Sequence, residues 1–342
     1  MLKHGTLGGM IANTAPCHFE PFQPGDAEQV TRLFVEVYGT AYPIRRVYDP
    51  RQLIQASQSG TYIPFVARTA EGKVVSYAAL CQSAPFKGIY ELVQGIVSSD
   101  FRGGGIGRAM FEHVERLLAT LPGAETYFGE SVCNHLHTQK TSSLIKSIET
   151  GLEVDLMPGA VYANDTPDTG RIAVLDGFRT FVSKPHQVYL PQAYQEIIRY
   201  IYDGFDDQRI LSVATDDIPE KEHTGLTIRL FEQINVARLA LTSVGPDLEQ
   251  VLSSHEQALA HQQIKVLQLW IPATWPWIGT VVDRLRSRGY FFGGVFPRWF
   301  DDDAIMLQKL SGRPNWEGIR LYSDRAQIIR DAVYADWLNV GQ

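Results

Sequence analysis

The segment Val97-Ser-Ser-Asp-Phe-Arg-Gly-Gly-Gly-Ile-Gly-Arg-Ala-Met-Phe111 constrains the fold of this chain more than any other. It leads from a strand pattern through a glycine loop directly into a helical pattern. Upstream, Ile89-Tyr-Glu-Leu-Val-Gln-Gly-Ile-Val97 alternates as a central strand does; downstream, Ile106, Met110, Val114, Leu117, Leu118 and Leu121 recur at helical spacing. Gly103, Gly104, Gly105 and Gly107 remove the side chains that would hold a ligand off the backbone. The free N–H groups of the first helical turn, from Ile106 on, then point at an anion with the helix dipole behind them. Arg102 and Arg108 bracket the loop and can add charge-assisted bonds. Such a turn suits a pyrophosphate, or serves simply to cap a helix.

Spacing separates the phosphate loops. A dinucleotide fingerprint needs a third glycine where this chain has Arg108, and a Walker loop needs Lys then Ser or Thr where Gly107 is followed by Arg108-Ala109. The pattern Arg-x-x-Gly-x-Gly does fit, through Arg102, Gly105 and Gly107, and it resembles the acyl-CoA loop of the GNAT superfamily of acyl-CoA-dependent N-acyltransferases. The resemblance spans roughly residues 18–185. Helical patterns lie at 27–38, 50–59 and 138–150, and strand patterns at 62–68, 74–82, 89–97, 125–132, 153–157 and 171–181. The implied fold is α/β with a mixed sheet flanked by helices.

Acyl transfer to an amine needs a base for the amine proton and dipoles at the carbonyl oxygen. The resemblance places the amides of Ile96 and Val97 and the side chain of Asn134 on the acyl-CoA. It makes Glu91, eleven positions before Arg102, the candidate base. Alternation puts Glu91 on one face with Val93 and Gly95. A solvated or salt-bridged strand glutamate is the competing role. Glu130 is a second carboxylate suited to a cationic acceptor or to relaying a proton. The family's Asn-x-x-Ala-x-x-x-Tyr pattern is broken: His137 stands at the Ala place and Thr141 at the Tyr place, leaving no tyrosine to protonate the departing thiolate. His135 and His137 are the natural substitutes, since imidazole titrates in the working range. With no carboxylate or Cys partner at suitable helical spacing, they are not read as a metal site.

After Pro185-His-Gln-Val-Tyr-Leu-Pro191 the order of elements starts again. Strand patterns at 226–232 and 237–242, a helix at 246–260, a strand at 264–271, a helix at 275–288 and strands at 290–296 and 304–310 resemble a second GNAT unit. Its phosphate loop is missing: Ser243-Val-Gly-Pro-Asp-Leu-Glu-Gln250 offers one glycine and two carboxylates that would repel a pyrophosphate. The expected organisation is a disordered start (1–16), a catalytic GNAT domain (17–185) and a degenerate GNAT-like domain (186–342) ending in a helix at 323–338 with Ile328, Ile329, Ala332 and Trp337 inward. Trp270, Trp275, Trp277, Trp299 and Tyr290 are expected in the core.

Composition agrees with a water-facing enzyme. With 44% hydrophobic and 20% charged residues the chain is ordinary for a globular protein, and no apolar run reaches the roughly 18 residues of a membrane span. No signal sequence is evident, which leads to an expected cytoplasmic location. A net charge of −7 argues against nucleic acid. Cys17, Cys81 and Cys133 are too scattered for a disulfide framework or a zinc site. The expected reaction moves an acetyl or other short acyl group from acyl-CoA directly to an amine of a small molecule or protein, by a monomer or homodimer without metal. The alternatives are acyl transfer from a carrier protein, decarboxylation of a thioester, or a non-catalytic acyl-CoA sensor or scaffold.

Overall fold

A computed structural model of the chain describes residues 17–162 and 170–341, so the disordered start expected over 1–16 lies outside the described residues. It divides into two compact units, Met1–Leu80 with Gln94–Val114, and Cys81–Val93 with Glu115–Gln342.

The first unit contains β1 (His18–Pro21), α1 (Ala27–Tyr38), α2 (Pro50–Ser57), β2 (Tyr62–Arg68), nearly all of β3 (Val74–Cys81), the end of β4 (Ile89–Val97) and most of α3 (Ile106–Leu118). Its strands lie in the order β1-β2-β3-β4, with β1 antiparallel to β2. Helix α2 starts where Asp49 accepts the N–H groups of Arg51 and Gln52, with Pro50 preset for the first turn. Side chains of β2 and β3 enter two cores. Val66, Val74 and Tyr77 pack with Val30, Leu33, Phe34 and Val37 of α1, while Ala67 and Val75 pack with Phe101 and Ile106. The spacing of the α1 residues, three or four apart, is what turns one stripe of that helix inward.

The second unit carries the start of β4, then β5 (Thr126–Val132), α4 (His137–Ser142), β6 (Ile148–Pro158), β7 (Arg171–Thr180), β8 (Gln187–Leu190), α5 (Gln195–Tyr202), β9 (Ile210–Val213), β10 (Gly225–Phe231), β11 (Val236–Ser243), α6 (Leu248–His261), β12 (Val266–Pro272), α7 (Ile278–Arg286), β13 (Phe291–Phe296), β14 (Ala304–Leu310) and α8 (Asp324–Val340). Its mixed sheet has the order β4-β5-β7-β6-β13-β14-β12-β11-β10, and β8 pairs with β9 in parallel beside it. The order contains one pattern twice. Strand β4 is parallel to β5, β5 antiparallel to β7 and β7 to β6; likewise β11 is parallel to β12, β12 antiparallel to β14 and β14 to β13.

The two runs meet at β6 and β13, where Gly151 pairs with Gly294. A Cβ on Gly294 would stand 2.4 Å from the Gly151 Cα, so only glycine lets these backbones approach. Beside the crossing, the Gln308 amide substitutes for a peptide group: it donates to Leu152 O (2.8 Å) and accepts from Val154 N (2.8 Å).

Three expectations change. The helix expected at 138–150 stops at Ser142, because Lys146 adopts a left-handed φ of 57° and Ile148 already opens β6. In α8 the inward stripe is Ala326, Ile329, Val333 and Asp336, which leaves Ile328 at 44% exposure on the solvent side. In β4, Gln94 has φ 61°, so the alternation that groups Glu91 with Val93 is interrupted before Gly95. Compactness also divides the chain elsewhere than the element repeat does, since β5 to β14 fall in one unit.

Candidate active site

In the first unit, β4 runs through a single turn at Ser99–Phe101 into the glycine loop. Gly103 and Gly105 have φ of 81° and 83°, a region that side-chain-bearing residues rarely adopt, and a Cβ at either would meet nothing within 4 Å. The glycines are therefore required by the turn, and the space beside them is open. Arg102 and Gly103, Gly104 and Gly105 are exposed, and Ile106, Met110 and Val114 are buried, so α3 presents one face to the core and its N-terminus to the loop. The Arg102 Nε donates to Val97 O (3.4 Å), and Arg108 pairs with Glu112 one turn along (2.8 Å). The Ile96 carbonyl accepts the Ser76 hydroxyl (2.7 Å). At the Gln94 irregularity, Tyr62 donates its hydroxyl to the Gln94 side chain and stands against Tyr77.

In the second unit, strand alternation stacks three layers. Phe128, Phe178 and Trp270, with Met306 among them, form one apolar layer, and Val174, Val236 and Val266, with Val132 and Leu310 against them, form an aliphatic one. Between them, two residues from each along the same strands, lie Glu130, Asp176, Arg238, Gln268 and Gln308. Glu153 of β6 and Glu91 of β4 join this polar layer. Oxygens of Glu130, Glu153 and Asp176 all lie within 4.8 Å of one another. One guanidinium nitrogen, Arg238 Nη2, donates to Glu130 (2.9 Å) and to Glu153 (3.1 Å), while its Nε donates to Gln268 (2.9 Å). Gln268 donates in turn to Glu153. The guanidinium also lies over the Phe231 ring (5.4 Å) and the Trp270 ring (5.5 Å). Glu153, Asp176 and Gln268 have no exposure, whereas the side chains of Glu130 and Arg238 are 23% and 19% exposed, so the layer meets water at those two.

Burial without enough positive charge sets the protonation of this layer. Burial lifts Glu91 above the ordinary carboxylate range against the pull of Arg238. It pushes Glu130 up to about 8, with Arg238 opposing and Glu153 and Glu91 adding. Asp176, whose two oxygens accept no hydrogen bond, is raised further by burial and then by Glu153 and Glu130. Cys81 Sγ lies 3.9 Å from Glu91. Coupled carboxyls of this kind take up protons as a group.

Asn134 is buried immediately after β5, His135 is half-buried and His137 exposed, with the two imidazole rings 5.5 Å apart. Their turn is fastened from the far end of the chain: Arg320 N donates to Cys133 O (2.7 Å), and Gln139 bonds both Arg320 O and Tyr322 N. Reading the sequence selected Glu91 and Glu130 but missed Glu153, Asp176, Arg238 and Gln268. The available signal was a polar residue flanked at two-residue spacing by apolar ones, repeated in Phe128-x-Glu130-x-Val132, Val174-x-Asp176-x-Phe178, Val236-x-Arg238-x-Ala240 and Val266-x-Gln268-x-Trp270. Trp270, Trp299 and Tyr290 are buried and Trp275 stacks on Trp277, as expected of packing aromatics.

Residues 27–138, which include the loop, α3 and β5, match the acetyltransferase (GNAT) family model. The match to a GNAT acetyltransferase domain thus falls on the part of the chain that holds the loop. Among solved structures it is similar to mutant forms of a spermidine/spermine N-acetyltransferase from Vibrio cholerae, at 12% identity and TM-score 0.39 over 48% of this chain and 95% of that one. It is similar to a putative phosphinothricin N-acetyltransferase at 14% identity and TM-score 0.40, over 49% and 100%. A phosphinothricin acetyltransferase from Sinorhizobium meliloti in complex with AcCoA gives 17% identity and TM-score 0.39, over 48% and 88%. At these values the likenesses select no substrate. No curated protein matches the chain. Among the described residues no helix is long and apolar enough to cross a membrane.

Proposed function

We propose that the chain is an N-acetyltransferase that moves an acetyl group from acetyl-CoA directly to the amine of a small molecule or a protein. The observation that carries this reading is the loop of Gly103 and Gly105, whose left-handed glycines leave open space at the start of α3. Its backbone amides from Gly103 to Gly107, with Arg102 and Arg108, would hold the pyrophosphate. The amides of Ile96 and Val97 would grip the pantetheine arm or polarise the thioester carbonyl, and Asn134 would bond the arm. Glu91, desolvated and raised, would take the proton of the attacking ammonium, and Glu130 would relay it or hold a cationic acceptor. The amine nitrogen, freed of that proton, forms its bond to the carbonyl carbon as the C–S bond breaks, and the second proton it sheds on becoming an amide would pass to the thiolate through His135 or His137. An acyl-enzyme is not part of this reading, in which the amine attacks the thioester itself.

The division into a catalytic part at 17–185 and a degenerate copy at 186–342 belongs to the same proposal. The repeated strand order supports it. So does the turn between β11 and α6, where a Cβ on Gly245 would stand 2.0 Å from Glu222 O and Asp247 accepts the Thr224 N–H (2.8 Å). Where the first loop is open, this one is filled by its own chain. A cytoplasmic monomer or homodimer fits this reading.

Calorimetric titration of acetyl-CoA into the purified protein tests it. One site of micromolar affinity, abolished by Gly105→Glu, is the expected result. No binding by the wild type would remove the acetyl-CoA reading and leave carrier-protein thioesters, thioester decarboxylation or a scaffold role.

A further inference from the structure

The carboxyl layer contains more acids than cations. Facing it are Glu91 from β4, Glu130 from β5, Glu153 from β6, Asp176 from β7, Arg238 from β11 and, with its charge reaching Glu91, Arg229 from β10. Arg238 is the cation in direct contact, and it comes from the C-terminal repeat while the acids belong to the N-terminal one. Its Nη2 serves Glu130 and Glu153 together, its Nε is held by Gln268, and its plane is fixed over Phe231 and Trp270. A guanidinium held this way has one orientation, and that orientation directs it at Glu130, the acid at the water-facing edge. Asp176, which accepts no hydrogen bond, is left to keep a proton.

We propose that Arg238 is a positioning residue for acyl transfer, the device by which the C-terminal repeat keeps the carboxyl at the mouth of this layer able to give up and take a proton. The inference rests on the acyltransferase reading and assigns a task to the repeat that lacks an open loop. Without the guanidinium, burial and three neighbouring acids would lock Glu130 in its neutral form, and the proton leaving the ammonium would lose that acceptor. The transfer itself is one proton from ammonium nitrogen to carboxylate oxygen, giving a neutral amine and a neutral carboxyl.

The full chain, labelled with carboxyl-13C glutamate, is titrated by infrared spectroscopy without substrate, and the pH profile of kcat/KM with acetyl-CoA and an accepted amine is recorded beside it. The wild type is expected to show a glutamate carboxyl titrating near 8, abolished in Glu130→Gln. Arg238→Gln should move that titration and the acid limb of kcat/KM upward by about one pH unit or more, with the acetyl-CoA Kd changed less than about twofold. Arg238→Lys, which keeps the charge but not the two-point grip, should hold the midpoint and lower kcat; it also serves if the Gln variant melts. An unmoved titration and acid limb in an active, folded Arg238→Gln enzyme would overturn this role alone. A wild type without turnover on any amine would overturn the acyltransferase reading and this role with it.

Discussion

Glu91 and Glu130 show why a carboxylate in this layer differs from one on a surface. Both are raised above the ordinary range first by burial, so each holds its proton to a higher pH than a surface glutamate does. The sign follows: if the ionised form is the one that accepts the proton, kcat/KM should fall as pH drops through a midpoint above the usual carboxylate value. Glu91→Gln is isosteric and removes the acceptor while leaving the glycine loop untouched. Its kcat should fall by about 10²–10⁴ while acetyl-CoA affinity stays level, measured by steady-state kinetics and calorimetry. Full turnover in that variant would return Glu91 to an ordinary strand glutamate.

At the scale of elements, what the sequence discloses is what local periodicity determines. Helix α1 and strands β2, β4 and β14 have the bounds their patterns predict, because each has a strong apolar repeat closed by a turn signal. The four-residue strands β1, β8 and β9 carry too little pattern, and the helix expected through residue 150 fails because the strand pairing of β6 outweighs helical propensity there. Part of the site was legible for the same reason: the glycine loop and Glu91 are contiguous signals. The polar layer was not, since Arg238 lies 108 positions from Glu130 and Gln268 lies 115 from Glu153, and only the sheet order brings them together. The crossing of β6 and β13 is likewise invisible in sequence until Gly151 and Gly294 are seen to pair. Gly294→Ala puts a methyl group against the Gly151 backbone and Thr150 O, and strands have little room to part. The expected cost is about 1–3 kcal/mol, read by urea unfolding, with no effect on acetyl-CoA binding by the folded protein. A variant as stable as the wild type would show that the approach is not tight.

For the molecule as a whole, pH sets stability through a second buried ionic group in the larger compact unit. Asp303 accepts the Arg298 N–H (2.9 Å) and the Arg209 Nε (2.5 Å), and His186 Nε2 stands 3.2 Å from it while Nδ1 bonds Lys184 O (2.6 Å). Arg209 is shared with Asp207 (2.8 Å) and lies over the Tyr202 ring (4.5 Å), so segments before β8, β9 and β14 are tied at one point. Burial alone would lower the His186 pKa, but the hydrogen bond and charge of Asp303 outweigh it and the net shift is upward. Asp303 itself is held well below the ordinary carboxylate range, with Arg209 and then His186 overcoming its burial. A histidine raised in the folded state stabilises fully below its unfolded value of about 6.5, and that contribution is lost as pH rises through the folded value. The aspartate works in the opposite sense: its contribution is present above about 3.9 and is lost only as pH falls far below that. The melting temperature should therefore decline as pH is raised from about 6.5 through the weakly alkaline range. His186→Gln should flatten that decline and melt lower than the wild type at about pH 6, where the imidazolium contributes most. Thermal melts of both proteins across this range decide the matter, because equal slopes would mean that His186 is not the group whose charge the larger unit depends on.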